Sequence, residues 1–420
     1  MTLKDYQVAA GLDIHKKFII ATLLWANGTK IQQRFERTVQ DSLALKAWIL
    51  EHTCDVVACE STSDYWMHIY DILIDHVPVL IGNAHDIKVL SHKKTDKIDS
   101  EMIAHLALKG MISPSRVMPR YHRDFRKMVR LRHFLVEKRT DIKNRIHSIL
   151  DGELFPLATI LTDIFGVSGQ RILHGILRGA SADESLTSIP PRIRLKKENE
   201  IRALIDQNMS RGALLQLRHC LRVIKHLDEE INPITEEVQA YTLQNYPREY
   251  TILRTVPGVG DITAITLIAE IGNFRDFISG EKPASWIGIV PKVHQSANHI
   301  VKRSITKRGS RHARGIITQA AHAAAKSRKN LLREWYETKK SVIGTGKATI
   351  ALARKMIVII WYLIVNDEEY VDRYSDSSQT ETKKVHTIRI PVSPHYTLEE
   401  VLSMVAEAVH LLNKRDPDPA

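Results

Sequence analysis

The stretch that most limits the fold is Asp55-Val56-Val57-Ala58-Cys59-Glu60, four consecutive apolar residues closed by an acid. A strand with one wet face alternates apolar and polar residues, whereas an unbroken apolar run belongs to a strand covered on both faces. The chain must therefore supply helices to cover it. Residues 8–12 and 18–24 are further β-rich runs, separated by Asp13-Ile14-His15-Lys16-Lys17, which reads as a tight turn between antiparallel strands. Residues 30–38 complete a meander. Residues 41–50 have helical apolar spacing with Asp41 as a cap, Ser61-Thr62-Ser63 opens a helix through Trp66, Ile69, Tyr70 and Leu73, and residues 77–81 give one more buried strand. This order predicts a mixed α/β sheet with helices on its faces.

Carboxylates fall at the strand ends. Asp13 ends the first strand, Glu60 ends the buried one, and Lys94-Thr95-Asp96-Lys97-Ile98-Asp99-Ser100 precedes the apolar set Met102, Ile103, Leu106 and Ala107. If Thr95 caps a helix, Asp96 and Asp99 lie one turn apart on one face and repel each other unless a cation sits between them. Magnesium suits such oxygen donors. Sites in open α/β sheets gather beyond the carboxyl ends of strands, and four acids there would hold two divalent ions that stabilise both oxygens of a phosphodiester exchange. The plainer alternative is a solvated helix start and two turn residues.

Sixty Lys and Arg against 48 Asp and Glu give a formal charge of +12 over 420 residues, which favours a polyanionic partner or serves only solubility. The cations cluster. After a break at residues 114–119, a basic helical region includes Arg123, Arg126, Lys127 and Arg130, with few acids interleaved, and suits phosphate-backbone contact that is salt-sensitive and blind to sequence. Tyr121, Phe125 and Phe134 stack on bases or pack in a core. Residues 166–191 read as short helices and a flexible connection. Leu214, Leu217, Leu221, Ile224, Leu227, Ile231, Ile234 and Val238 then form a helical seam, as in a coiled coil, that packs within its own chain or dimerises. Three cysteines show no metal-ligand or disulfide spacing, which fits a reducing cytoplasm, and no secretory signal region opens the chain. The longest apolar run, residues 356–365, reads as a buried helix too short to cross a membrane.

Val256-Pro257-Gly258-Val259-Gly260-Asp261 before Ala264, Leu267, Ile268 and Ile271 has the pattern of a helix-hairpin-helix, with amides at Gly258 and Gly260 free to approach phosphate. Gly288-Ile289-Val290-Pro291 then leads to Ser296, followed by the basic residues Lys302, Arg303, Lys307, Arg308 and Arg311. On chemistry alone Ser296 is a phosphate-contacting hydroxyl in a polar loop, or an ordinary loop serine. A serine is a poor nucleophile without a base or a metal-activated centre, and neither His294 nor His299 is placed by spacing to serve.

Taken together, Gly11-Leu12-Asp13-Ile14-His15-Lys16, Glu60, Lys94-Thr95-Asp96-Lys97-Ile98-Asp99, Val256-Pro257-Gly258-Val259-Gly260, and Gly288-Ile289-Val290-Pro291 through Ser296 to Ile305-Thr306-Lys307-Arg308-Gly309 resemble the DEDD transposases of the insertion-sequence-110 family. These are also called bridge recombinases and are related to the Piv DNA invertases. The resemblance covers roughly residues 8–365. It implies that Asp13, Glu60, Asp96 and Asp99 bind Mg2+ and that Ser296 attacks a DNA phosphodiester and becomes covalently linked to DNA. It also implies donor and target DNA, a structured guide RNA encoded by the element, a homodimer or homotetramer in which the serine and acids can come from different protomers, and a bacterial cytoplasmic, nucleoid-associated setting without a membrane. Ala297 stands where the family usually has glycine and Ser100 where alanine usually follows the last acid; Ser304 and Ser310 are the competing serines.

The expected fold class is α/β plus α: a RuvC/RNase H-like mixed-sheet domain over 1–112, a basic helical arm and coiled-coil linker over 113–245, a mainly helical domain with a helix-hairpin-helix and the serine over 246–374, and an appendage over 375–420 with a capping box at Thr397. Two other functions fit the same residues. One is a RuvC-like resolvase or nuclease that hydrolyses DNA with its carboxylates alone, and the other is a non-catalytic nucleic-acid-binding protein.

Overall fold

The computed structural model describes residues 6–61, 63–84, 87, 100–187, 189–205, 207, 209–296, 299–328 and 330–372, with only the backbone described at 293–296 and 299–303. Asp96, Asp99 and the 375–420 appendage lie outside the described residues. The central strand is β1 (Val8–Ile14), antiparallel on one side to β2 (Phe18–Trp25) and parallel on the other to β4 (Val56–Glu60). With β3 (Lys30–Glu36) and β5 (Val79–Gly82) outside these, the five-stranded mixed sheet has the order β3-β2-β1-β4-β5. Its two faces are divided by alternation. Ala10, Leu12, Val57 and Cys59 pack with α1 (Val39–Glu51) and α2 (Trp66–Leu73), while Ala9, Val56 and Ala58 pack with α3 (Ser100–Leu108). Covered faces explain why the run at 56–59 needs no polar residue.

One glycine sets how closely α3 lies on the sheet. A Cβ on Gly11 would stand 2.0 Å from the Ser100 carbonyl oxygen and 2.3 Å from the Ala104 nitrogen, so the strand and helix backbones touch there. Ser100 is fully buried, and its hydroxyl lies 2.7 Å from that of Thr22 on β2 and 3.3 Å from Gln32 Nε2 on β3. The polar side chain at this position is thus satisfied by neighbours on the sheet, which removes the desolvation cost that a lone buried hydroxyl would carry.

Helices make up the rest. The 33-residue α4 (Arg120–Gly152) runs antiparallel to the 35-residue α9 (Arg211–Asn245): Phe125 stacks on Tyr241, Arg132 donates to Thr235, Arg139 pairs with Asp228, and Arg145 donates to Gln216. The apolar seam of α9 therefore packs inside its own chain, with Leu217, Leu221, Ile224, Ile231 and Val238 buried. At the far end of this pair, α5 (Leu157–Ile160), α6 (Val167–Arg178), α7 (Ala182–Thr187) and α8 (Pro191–Ile205) close around a core of Phe155, Ile172, Leu173 and Ile201. The short helices expected over 166–191 are present, but among the described residues they pack into a lobe and do not form a flexible connection.

At the near end, α10 (Pro247–Thr255), α11 (Asp261–Ile271), α12 (Glu281–Trp286), α13 (Arg311–Lys326), α14 (Leu331–Ile343) and α15 (Thr345–Asn366) share a second core, and between α12 and α13 runs the hairpin of β6 (Pro291–Ser296) and β7 (His299–Ile305). The apolar run at 356–365 is the later part of α15, which at 22 residues is long and apolar enough to cross a membrane by length and composition. It is instead a core helix, with Ala348, Leu352, Met356, Ile357, Ile360 and Ile364 buried. Two cap expectations also change. Thr38, not Asp41, caps α1 by accepting from the Asp41 amide, and Asp41 accepts from the Glu36 amide; α2 begins after Tyr65, which makes no side-chain cap bond, so the helix opens later than the expected start at Ser61 to Ser63.

Replacing Gly11 with alanine is expected to destabilise the sheet domain by about 1–3 kcal/mol, because helix backbone cannot yield as a side-chain tip can. Denaturant melts of the two proteins check this, and equal midpoints would show that the contact is not tight.

Candidate active site

The parallel pairing of β1 and β4 aligns Gly11 with Ala58 and Leu12 with Cys59. One step further along the same register, Asp13 and Glu60 are neighbours. Side chains alternate along a strand. Asp13 therefore shares the face of Gly11, Glu60 shares that of Ala58, and both acids project on the side covered by α3. Adjacent strands lie about 4.8 Å apart, which puts the two carboxylates within reach of one ion. Each is half-buried. Asp13 Oδ2 and His15 Nε2 are 2.9 Å apart, and the His15 ring leans on Phe18 at 4.6 Å. The strand continues through Ile14, so Asp13 sits inside the strand end and not in the turn.

Hard carboxylate oxygens are the right donors for magnesium. Asp13 and Glu60 are two such groups, and among the described residues no set of three or more His, Cys, Asp or Glu converges on one point. Further ligands would come from the segment that enters α3, where Ser100 follows Asp99 in the chain.

Ser296 is the last residue of β6 and pairs with His299, so it stands at the tip of the hairpin, not in a loop ahead of it. β-branched Ile300, Val301 and Ile305 on the return strand account for this. At the hairpin base a Cβ on Gly288 would meet the Arg308 carbonyl oxygen at 1.9 Å, and one on Gly309 would meet that of Trp286 at 1.8 Å. Both glycines have positive φ, as does Lys307 at +56°, a left-handed conformation that costs a non-glycine residue about 1 kcal/mol or more. The Thr306 amide donates to Val290 O at 2.9 Å and the Lys307 amide to Gly288 O at 3.1 Å. This turn leaves Lys307, Arg308 and Arg311 exposed, without a carboxylate partner among the described residues. Lys302 and Arg303 lie on β7. Ser304 is exposed. Ser310, the other competing serine, caps α13 by accepting from the Ala313 amide at 3.1 Å and donates to Glu270 Oε2 at 2.8 Å.

Glu270 has no counterpart in the sequence reading. It is fully buried at the end of α11 and receives Arg130 through two bonds, Nε to Oε1 at 2.7 Å and Nη2 to Oε2 at 2.9 Å, while Arg126 donates to the Ala269 and Glu270 carbonyls at 3.1 Å. Burial opposes the charge of Glu270, but the bonds and charge of Arg130, with Arg126 and Ser310, outweigh it and hold the carboxyl below its usual value. Burial pulls Arg126 down to about 10 despite Glu270. Arg123 is likewise buried and pairs with Asp71 of α2. Of the four arm cations expected to touch phosphate, Arg123 is buried on Asp71, Arg126 and Arg130 are engaged by Glu270 although Arg130 keeps an exposed side, and Lys127 is exposed beside Asp124 at 3.2 Å. Gly258 is also internal: its φ is +84°, and a Cβ there would strike Ala320 O of α13 at 2.3 Å. Gly260, at the start of α11, faces open space.

A family model described as "Transposase IS116/IS110/IS902 family" matches residues 250–337, and another, described as "Transposase" for DEDD proteins, matches residues 10–156. The chain is 25% identical over 295 residues to "Transposase for insertion sequence element IS1111A" of Coxiella burnetii, covering 69% of this chain and 72% of that protein. It is 24% identical over 358 residues to "Transposase for insertion sequence element IS1328" of Yersinia enterocolitica, covering 84% and 95%. A "Pilin gene-inverting protein" of Moraxella lacunata is 26% identical over 195 residues, 42% of this chain and 57% of that protein.

Changing Glu270 to glutamine leaves the partly buried Arg126 and the exposed Arg130 against a neutral amide; Arg130 can turn to water, so a loss of about 1–3 kcal/mol is expected in denaturant melts. Because the folded carboxyl titrates below its ordinary value of 4.5, its contribution is complete above that value and disappears as pH falls through the lower folded value. The wild type should therefore lose stability over that acid range more steeply than the glutamine variant; parallel pH profiles would deny Glu270 this role.

Proposed function

The chain belongs to the IS116/IS110/IS902 transposase family, and from that premise we propose that it cuts and rejoins DNA strands at a composite site of sheet-borne acids and Ser296. The observation that carries the reading is the β1–β4 register, which sets Asp13 beside Glu60 on the face that α3 covers. The strand order and the mixed pairing support a RuvC/RNase H-like nuclease domain. Ser100 lies against Gly11, and Asp99 and Asp96 precede it by one and four positions in the sequence.

In this reading Asp13, Glu60, Asp96 and Asp99 hold Mg2+, which when bound offsets charge on the exchanging phosphate. Ser296 Oγ forms an ester with phosphorus while the bond from phosphorus to the leaving sugar oxygen breaks. A hydroxyl of the second strand then attacks the same phosphorus and releases the serine. Lys302, Arg303, Lys307, Arg308 and Arg311 hold neighbouring phosphates, and the open start of α11 at Gly260 grips backbone as a helix-hairpin-helix does. The acids and the serine stand on separate parts of the chain, joined through α4. This arrangement suits a dimer or tetramer in which Ser296 of one protomer completes the acids of another. A structured guide RNA from the same element fits the exposed basic faces through shape and backbone contacts, with the reaction taking place on nucleoid DNA in the cytoplasm.

Asp13→Asn and Ser296→Ala, each assayed for strand transfer on duplex DNA, test the composite site. Both are expected to lose activity by about three orders of magnitude or more while retaining DNA binding. Full strand transfer by Ser296→Ala alongside loss in Asp13→Asn would instead support hydrolysis by the acids alone.

A further inference from the structure

The outer half of the arm carries a groove of about 630 Å³ that neither the acids nor the hairpin explains. It lies between α6 and α9, floored by Phe165, Leu221 and Ile224, and its rim carries His174, Arg178, Arg218 and Arg222. All four rim groups are exposed, and none has an ion pair among the described residues. The acids nearby are occupied: Asp228 pairs with Arg139, and Glu229 lies 3.8 Å from both Lys225 and His226. Lys143 sits over the Phe165 ring at 4.8 Å and adds a further positive charge to the floor. Asp228 and Glu229 also line the groove, so its positive excess comes from Arg178, Arg218 and Arg222 with Lys143, and a concave surface with such an excess concentrates an opposite partner.

Val238 of α9 and His312, the neighbour of Arg311, line one small cavity, and Arg218 precedes Val238 by 20 positions. At 1.5 Å per residue the groove is about 30 Å along α9 from that point, close to one turn of B-form DNA. We infer that the groove between α6 and α9 binds the phosphate backbone of duplex DNA, one helical turn away from the basic residues at the hairpin base. This inference rests on the family's DNA substrate and not on the metal or serine chemistry. The contacts would be to backbone, so they would add affinity and orientation without reading sequence.

The test is equilibrium binding by the full-length protein in EDTA, which keeps it independent of strand cleavage. Arg218→Ala/Arg222→Ala is expected to weaken binding of a duplex of about four turns by roughly tenfold and to lower the slope of log affinity against log salt by about 2, one phosphate for each arginine. A duplex of about one turn, too short to span both regions, should bind as before. Arg218→Lys/Arg222→Lys should retain long-duplex affinity, which separates lost charge from misfolding. Unchanged affinity and slope in the alanine pair would overturn the inference. So would an equal loss in Arg192→Ala/Lys196→Ala on α8, which would reveal only generic charge. A loss confined to a structured RNA hairpin would assign the groove to RNA and overturn it for DNA.

Discussion

The buried carboxylate of Glu270 is the interaction on which the arrangement of this chain depends. Arg126 and Arg130 reach it from α4, Ser310 reaches it from the start of α13, and its own helix follows the Pro257–Gly260 turn. A buried carboxylate paired in this way adds little net stability compared with apolar packing, but removing its arginines is costly because Glu270, fully buried, would lose the charges that offset its desolvation. Its consequence is geometric. The same α4 that grips Glu270 also holds the sheet domain through Arg123 and Asp71, so the acids and the hairpin are referred to one helix. Ser310 adds the link to chemistry, since it fixes the start of α13 directly after the basic turn at Lys307 and Arg308.

On the sheet side, the equivalent constraint is the absence of a side chain at Gly11. Without a Cβ there, α3 settles directly on β1 and β2, and the buried hydroxyls of Thr22 and Ser100 meet across the contact. The start of α3 at Ser100 is thereby held against the strand that bears Asp13. A packing detail two residues before the acid thus bears on whether a divalent ion site can form.

The sheet was legible because its signals are local. Strands were expected at 8–12, 18–24, 30–38 and 77–81, and the observed ones are Val8–Ile14, Phe18–Trp25, Lys30–Glu36 and Val79–Gly82, with β4 ending at Glu60 as expected. The α9 seam was equally clear, although periodicity cannot say whose helix fills it; here it is α4 of the same chain. What the sequence hid was long-range pairing. Arg130 and Glu270 are 140 positions apart, and a basic run with few local acids looks solvated until its distant partner is known. Gly258 misled for a related reason, since its conformation and the proximity of α13 explain the glycine without any phosphate. Among the candidate site residues, Asp13 and Glu60 could be paired by strand logic, whereas the local signal that Ser296 ends a strand at a hairpin tip is the β-branched set Ile300, Val301 and Ile305 that follows it, in a stretch read as a polar loop.

The family matches, the adjacent acids and the exposed basic turn are the observations behind the proposed transfer of DNA strands through Ser296. The most direct measurement is to trap the wild-type protein on a cleaved duplex in the presence of Mg2+, digest it, and map any peptide that remains covalently attached to DNA by mass spectrometry. The expected result is a single nucleotide-bearing peptide with the bond at Ser296, absent when Asp13 is asparagine. Cleaved DNA with no protein adduct, or an adduct at Ser304 or Ser310, would contradict the serine assignment.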